Sequence, residues 1–340
     1  MSPETAAAHG RIVVVGSLNA DLTIYCERLP LPGETVHGTG FAVNPGGKSA
    51  NQAVAASLLG GAVSLVGAVG DDANGEMLLA STAGAGVDIS HVRTSQSAAT
   101  GVAVIAVDAH GENNIIISAG ANGTLAPADV AASADAFDGA SVVCLCLEVG
   151  LGSVEAAARM GHDAGATVLL NLSPYGEIPP SLADLSDVLL VNAHEASLFL
   201  GSGGAGSEAP GAEMPGAEAD DAAWDQVRQR FAERGLQQVL VTLGSNGSVV
   251  LDSRAAGDGR VTRIAPVKVH AVDTTGAGDA FTGAVAARLA AGDPLAEAAA
   301  FASVAAALAA TRKGTQAAYA GVVDVERMRA AASRSIEDSP

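Results

Sequence analysis

Ala271-Val272-Asp273-Thr274-Thr275-Gly276-Ala277-Gly278-Asp279-Ala280-Phe281 is the stretch on which the reading of this chain turns. A β-branched segment, 267–272, leads into it, and an apolar, Ala-rich helix pattern, 281–289, leads out. That order predicts a strand-to-helix turn at the glycines. A helix N-terminus presents unpaired backbone N–H groups and the positive end of the helix dipole, which together suit an oxyanion such as a phosphoryl group. Asp279 falls on the same turn. A carboxylate beside an anion hole is unfavourable unless it has a task, and one task is to take the proton of a hydroxyl that attacks phosphorus. Taken alone, a tight glycine turn with Asp279 as a helix cap accounts for the same residues. The rest of the chain has to decide.

With 340 residues, one large domain plus a small appendage is expected. The balance of 18 basic against 37 acidic residues, net −19, repels phosphate backbones and argues against nucleic-acid binding. Residues 1–10 are polar and Ala-rich, without the apolar core of a secretory signal, and no run is long enough to span a bilayer. Cys144 and Cys146 fall on one face of an apolar strand pattern and, with Cys26, read as reduced core thiols of a cytoplasmic protein. No cysteine or histidine spacing suggests a metal site.

Residues 11–15 form a β-branched run ending at Gly16, read as a buried first strand, with Asn19, Ala20 and Asp21 beyond it. Ligands of open α/β sheets bind at that end of a strand, although for these three residues alone a polar turn is the better account. Residues 22–43 are broken by Pro30, Pro32 and Gly33, and 100–118 reads as a β-hairpin. Together they predict a small sheet outside the main layer. Between them, Gly46 and Gly47 open an Ala-rich helix to Leu59, with Lys48 and Asn51 on its first turn. A strand over 64–69 and a helix over 75–86 follow.

From Ala126 strands and helices alternate, which predicts a mostly parallel sheet covered on both faces. Strands are expected at 141–147, 167–171, 188–191, 238–242 and 248–252, and helices at 151–164, 194–200, 221–235, 281–291 and 295–310. Glu148 ends one strand as a ligand-facing carboxylate or a helix-start acid. Asn192 and Glu195 have capping-box spacing. Residues 201–220 are rich in Gly, Ala, Pro and Glu without an apolar period, read as a disordered acidic insertion. Trp224 reads as packing, and 332–340 as a frayed tail.

The opening stretch resembles the signature of the ribokinase-like (PfkB-type) carbohydrate kinases. Gly16–Asp21, Pro32-Gly33-Glu34-Thr35, Gly46–Ala53, Gly70-Asp71-Asp72, Asn192–Glu195, Thr242–Ser245 and Thr311–Gly314 resemble the family's other motifs in the family's order. The resemblance implies a three-layer α/β/α ribokinase-like fold with a mostly parallel central sheet. Residues 11–21, 44–97 and 121–330 would form the large unit, and 22–43 and 98–120 a β lid. It implies an ATP-dependent sugar kinase acting on the 5-hydroxyl of D-ribose, with Asp279 as base and Gly276, Ala277 and Gly278 completing an anion hole.

Asn19, Ala20, Asp21, Gly47, Lys48, Ser49, Ala50, Asn51, Glu148 and Asp279 would hold the sugar. Asn192, Glu195, Thr242, Leu243, Gly244, Ser245, Asn246, Gly247, Gly278, Asp279 and Ser303 would hold ATP. Magnesium (Mg2+) would sit near Glu195 through water. Potassium (K+) would sit at Asp273, Thr275, Ala309, Arg312, Gly314 and Ala318. Two departures stand out. Ser49 replaces a glycine and would add a side chain near the sugar, and Ala318 stands where a hydroxyl residue is common. A homodimer through the lid is expected. The competing readings are a nucleoside kinase of the same fold and a non-catalytic sugar or nucleotide sensor. The 3% aromatic content speaks against a nucleobase pocket, and Asp279 against the sensor.

Overall fold

The computed structural model of the protein describes residues 10–110, 112–201 and 213–337. Its strands are β1 (Arg11–Val15), β2 (Asn19–Cys26), β3 (Gly38–Gly46), β4 (Ala62–Gly70), β5 (Asp88–Ser95), β6 (Gly101–Val107) and β7 (Asn113–Ser118). They continue with β8 (Ala140–Leu145), β9 (Thr167–Asn171), β10 (Val188–Asn192), β11 (Gln238–Thr242), β12 (Ser248–Asp252) and β13 (Val261–Ile264). The helices are α1 (Lys48–Leu58), α2 (Ala73–Gly84), α3 (Pro127–Ala132), α4 (Ala134–Phe137), α5 (Leu151–Asp163) and α6 (Pro180–Leu185). They continue with α7 (Ala193–Gly201), α8 (Asp221–Ala232), α9 (Ala277–Ala290), α10 (Leu295–Ala310) and α11 (Val322–Glu337).

Among the described residues, nine strands form one sheet in the order β13-β12-β11-β10-β9-β8-β1-β4-β5. β5 through β11 run parallel, and β12 and β13 add an antiparallel edge. The central strands are buried on both sides, so their side chains alternate between two cores rather than between core and water. Ile12 and Val14 of β1 enter one core, with α1, α9 and α10. Val13 and Val15 enter the other, with α5, α7 and α8, where the fully buried Trp224 also packs. This is the expected three-layer α/β/α architecture.

A second sheet, β3-β2-β6-β7, stands apart. It is built from the two stretches read as extended, but its borders reach further inward. β2 begins at Asn19 and β3 ends at Gly46, so Asn19, Ala20, Asp21 and Gly46 lie on the small sheet, not in the larger unit. Its outer face is apolar and open: Ile24, Phe41, Val43, Val104 and Ile116 are exposed neighbours in register.

Two expectations are corrected, and one strand, β5, had no expectation attached to it. Residues 267–272 form no strand, because Pro266 follows β13 and the amides of Val272 and Asp273 donate to the Ala310 carbonyl at the end of α10 instead. β5, with the polar sequence DISHVRTS, carries no apolar alternation and pairs only with β4 at the sheet edge. The chain end is helical through Glu337, so 332–337 is not a frayed tail. Most of the acidic insertion, 202–212, lies outside the described residues. Its remainder is tethered: Met214 and Ala219 pack against a core, and Arg263 donates to the Ala217 and Ala219 carbonyls.

Candidate active site

The turn before α9 is built as the glycines require. Gly276 caps the helix in the left-handed region, φ 73°, which an L side chain would strain. The Ala277 N–H donates to the Thr274 carbonyl at 3.2 Å, so it is spent within the turn. Of the residues expected to form an anion hole, Ala277 therefore has no free N–H to offer.

Asp279 stands on the first helical turn yet is only 6% exposed. It does not cap its own helix. Its Oδ2 accepts from Asn51 Nδ2 at 3.0 Å and its Oδ1 from Gln52 Nε2 at 3.1 Å, both from α1. Asn51 in turn accepts from Gln316 Nε2 at 3.1 Å. Asn51, expected to hold sugar, is thus mainly a partner of Asp279.

Around Asp279 the sugar candidates converge from both sheets. The Glu148 Oε2 accepts from Ser17 Oγ at 2.6 Å, from the Lys48 backbone N–H at 3.0 Å and from Asn19 Nδ2 at 3.4 Å. Asn122 fixes Asn19 by donating to its Oδ1 at 2.8 Å, while clasping both backbone groups of Leu18. The Asp21 carboxylate lies against Gly46 so closely that a Cβ there would come within 2.2 Å of it. A Cβ on Gly47 would likewise come within 2.6 Å of the Asn19 backbone nitrogen. Only residues without a Cβ allow these approaches.

Charge is concentrated here. Burial, then the neighbouring Glu148 and Asp279 carboxylates, push the Asp21 carboxyl up to about 7. Burial works to lower the Lys48 ammonium, but Asp279, Glu148 and other anionic groups outweigh it and raise it above its usual value. The site is therefore acceptor-rich with one cation, a lining suited to a polyol that offers hydroxyl donors.

Three of the sugar candidates are fully buried and line neither of the cavities described below. Ser49 is fully buried, with its Oγ 3.0 Å from Cys146 Sγ and 3.5 Å from the Val15 carbonyl. It points towards the main sheet rather than into either cavity and fills the space over Gly16. Ala20 and Ala50 are also fully buried.

Two cavities meet at the turn. A polar one of about 170 Å³ is lined by Lys48, Asn171, Asn192, Glu195 and Asp279, among others. A cleft of about 660 Å³ has Gly244, Ser245, Gly247 and Ser303 on its walls, and Val267, Val269, Ala306 and Ala307 as an apolar bed. Thr242 and Gly278 line both. Leu243 instead packs against the core, and Asn246 lies outside the lining. Asn192 and Glu195 form a reciprocal capping box, 2.9 and 2.8 Å, which holds Glu195 in the polar cavity.

Of the six residues expected around a monovalent cation, Asp273, Thr275 and Gly314 are joined directly. Asp273 accepts from Thr275 N–H and Gly314 N–H, both at 2.9 Å, and Arg312 N–H donates to the Ala309 carbonyl at 3.1 Å. Burial opposes ionisation of Asp273, but these amides outweigh it and hold its carboxyl below the usual range. Ala318 is fully buried. Among the described residues no three His, Cys, Asp or Glu side chains are grouped to hold a metal.

Ser17 and Gln52 lie inside the quoted motifs but were given no role, and Asn122 and Gln316 are single polar residues with no spacing to mark them. Sequence reasoning also missed the apolar bed of the cleft, whose residues are ordinary core types.

A family model described as pfkB family carbohydrate kinase matches residues 10–320. The chain is 35% identical over 326 residues to a ribokinase of Schizosaccharomyces pombe, covering 93% of this chain and 96% of the relative. It is 32% identical over 315 residues to a deoxyribokinase of Salmonella typhi, covering 92% and 96%. Among solved structures, a ribokinase of Arabidopsis thaliana complexed with ribose and ATP matches with a TM-score of 0.81 at 31% identity, over 94% of this chain and 98% of that one.

Proposed function

Because this chain belongs to the pfkB family of carbohydrate kinases, and is thus an ATP-dependent phosphotransferase acting on a sugar hydroxyl, we propose that D-ribose is its acceptor and Asp279 its base. The observation that carries the reading is the junction of the two cavities at Thr242 and Gly278. A nucleotide bedded in the apolar cleft would bring its terminal phosphate over Gly278, one residue from the carboxylate. Asp279 takes the proton of the 5-hydroxyl as that oxygen attacks the γ-phosphorus. The bond to the β-phosphate oxygen breaks, and ADP and ribose 5-phosphate leave. Gly278 and Asp279 N–H groups and the Lys48 ammonium face the charge that develops on the phosphoryl oxygens, so positioning and electrostatics carry the rate. Asn19, Asp21, Gly47, Lys48 and Glu148 hold the sugar.

Magnesium, when bound with the phosphates, neutralises their charge. Glu195 fits a largely hydrated ion, since its Oε2 is already committed to the Asn192 N–H. Potassium fits the backbone-rich loops around Asp273, whose carboxylate ties 275 to 314 and so fixes the turn that aims Gly278. Initial rates in tetramethylammonium buffer should rise when potassium is added back; a flat response would remove potassium from the reading. A cytoplasmic location accords with three free, buried cysteines. Among the described residues no helix is long and apolar enough to cross a membrane.

ATP consumption over ribose, 2-deoxyribose, fructose, adenosine and uridine tests the substrate. Ribose should show the highest kcat/KM, because a polar site penalises an analogue that leaves its groups unpaired. A preference for 2-deoxyribose would instead match the deoxyribokinase relative. Asp279→Asn should lower kcat by roughly 10²–10⁴-fold with ATP binding retained.

A further inference from the structure

Gln52 is 1% exposed on α1, and both ends of its amide are engaged. Its Nε2 donates to Asp279 Oδ1 at 3.1 Å, and its Oε1 accepts from the Cys144 thiol at 3.3 Å. Cys144 is fully buried on β8, and burial pushes its thiol far up, so it stays protonated and remains a donor. A donor at that place admits one orientation of the amide, with oxygen towards the thiol and NH2 towards the carboxylate. The reverse orientation would set the amide oxygen against Asp279 and two N–H groups against an S–H.

The backbone under Gln52 is fixed as well. α1 crosses α9 at Gly283, where a Cβ would come within 2.4 Å of the Gln52 carbonyl. The donor and the acceptor therefore ride on two helices in direct backbone contact. Asn51, the adjacent residue, holds the other oxygen of Asp279. The carboxylate is thus gripped at both oxygens, and its rotation about the Cβ–Cγ bond is blocked.

We infer that Gln52 is a positioning residue for Asp279, with the Cys144 thiol selecting the orientation of its amide. The inference rests on Asp279 being the base. In the free enzyme the grip keeps the carboxylate plane set before sugar arrives, leaving the outward lone pairs for the acceptor hydroxyl. Nothing in the role requires Gln52 to touch sugar or nucleotide, so its removal should act on turnover and not on binding.

Gln52→Met keeps length and volume while removing both hydrogen bonds. It should lower kcat by about 10–100-fold, as expected when a reacting group is misplaced, while KM for ribose and ATP stays near wild type. In the Asp279→Asn background the same change should have little further effect, because the group being positioned is gone. Cys144→Ala should lower kcat in the same direction, and Cys144→Ser, which keeps a donor, should restore it towards wild type. Wild-type turnover in Gln52→Met, or an equal fractional loss in the Asp279→Asn background, overturns the positioning role. Should Asp279→Asn alone retain full turnover, the base assignment fails first, and that result is distinct from failure of Gln52. If Gln52→Met does not fold, the Cys144→Ala and Cys144→Ser pair decides: equal kcat in the two overturns the inference.

Discussion

Asp21 lies on β2 with Gly46 pressed against its carboxylate and Glu148 and Asp279 nearby. Its carboxyl is raised from 3.8 to about 7, by burial first and by the two carboxylates next. In the unfolded chain it would ionise near 3.8, so between that value and about 7 the native protein holds a proton that the unfolded chain has released. The stability this group contributes is complete below the lower value and is lost as pH rises through the upper one. The free protein should therefore melt at a lower temperature at about pH 8 than at about pH 5, and Asp21→Asn should flatten that slope while abolishing sugar affinity. Calorimetry across the range checks the first part, and a slope equal in both proteins would count against it. Lys48 and Asp279 stand out in the sequence because each sits on a glycine turn, whereas Asp21 and Glu148 were singled out by the family resemblance. Ser49 misled because a sequence shows which residue is present but not which way it points. Gln52 and Asn122 were invisible because their roles exist only once α1 meets α9 and β2 meets the turn after β7.

At the scale of elements, the helix crossing at Gly283 sets the distance from Gln52 to Asp279. A Cβ there would stand 2.4 Å from the Gln52 carbonyl, 2.7 Å from Ala55 Cβ and 3.0 Å from the Ala56 amide. Two effects compete in Gly283→Ala. Relief of glycine's helix penalty favours it by about 1 kcal/mol. Overpacking of backbone against backbone opposes it by about 1–3 kcal/mol. The second should win, so urea denaturation should show a net loss of stability, with kcat reduced as α1 is pushed back. The strands of the main sheet were readable because β-branched runs such as RIVVV at Arg11–Val15 are buried on both faces and need no context. β5 was not, because an edge strand can be polar on the side that water reaches. The segment 267–272 has the composition of a strand but no free ladder beside it, and only the fold reveals that.

At the scale of the molecule, the small sheet leaves an apolar face in solvent, with Phe41 64% and Ile116 72% exposed. Isolated exposed apolar residues are ordinary, but a contiguous row on an open sheet calls for a cover, and the expected homodimer would supply one. Light scattering should give twice the chain mass, and Ile116→Lys on this face should give the monomer. A wild-type monomer at working concentration would remove the dimer.

The division of the proposed sugar residues between the sheets would have a mechanical consequence. Asn19 and Asp21 ride on β2, while Glu148 follows β8 and Lys48 opens α1. A sugar held by all four acts as a rivet between two plates, and each hydroxyl is a fastening as well as a label. An acceptor that lacks one hydroxyl would forfeit a hydrogen bond and would also loosen the joint between the two sheets. Discrimination among sugars then shows itself as tightness of the assembly, felt at the phosphorus, and not merely as affinity at the ring.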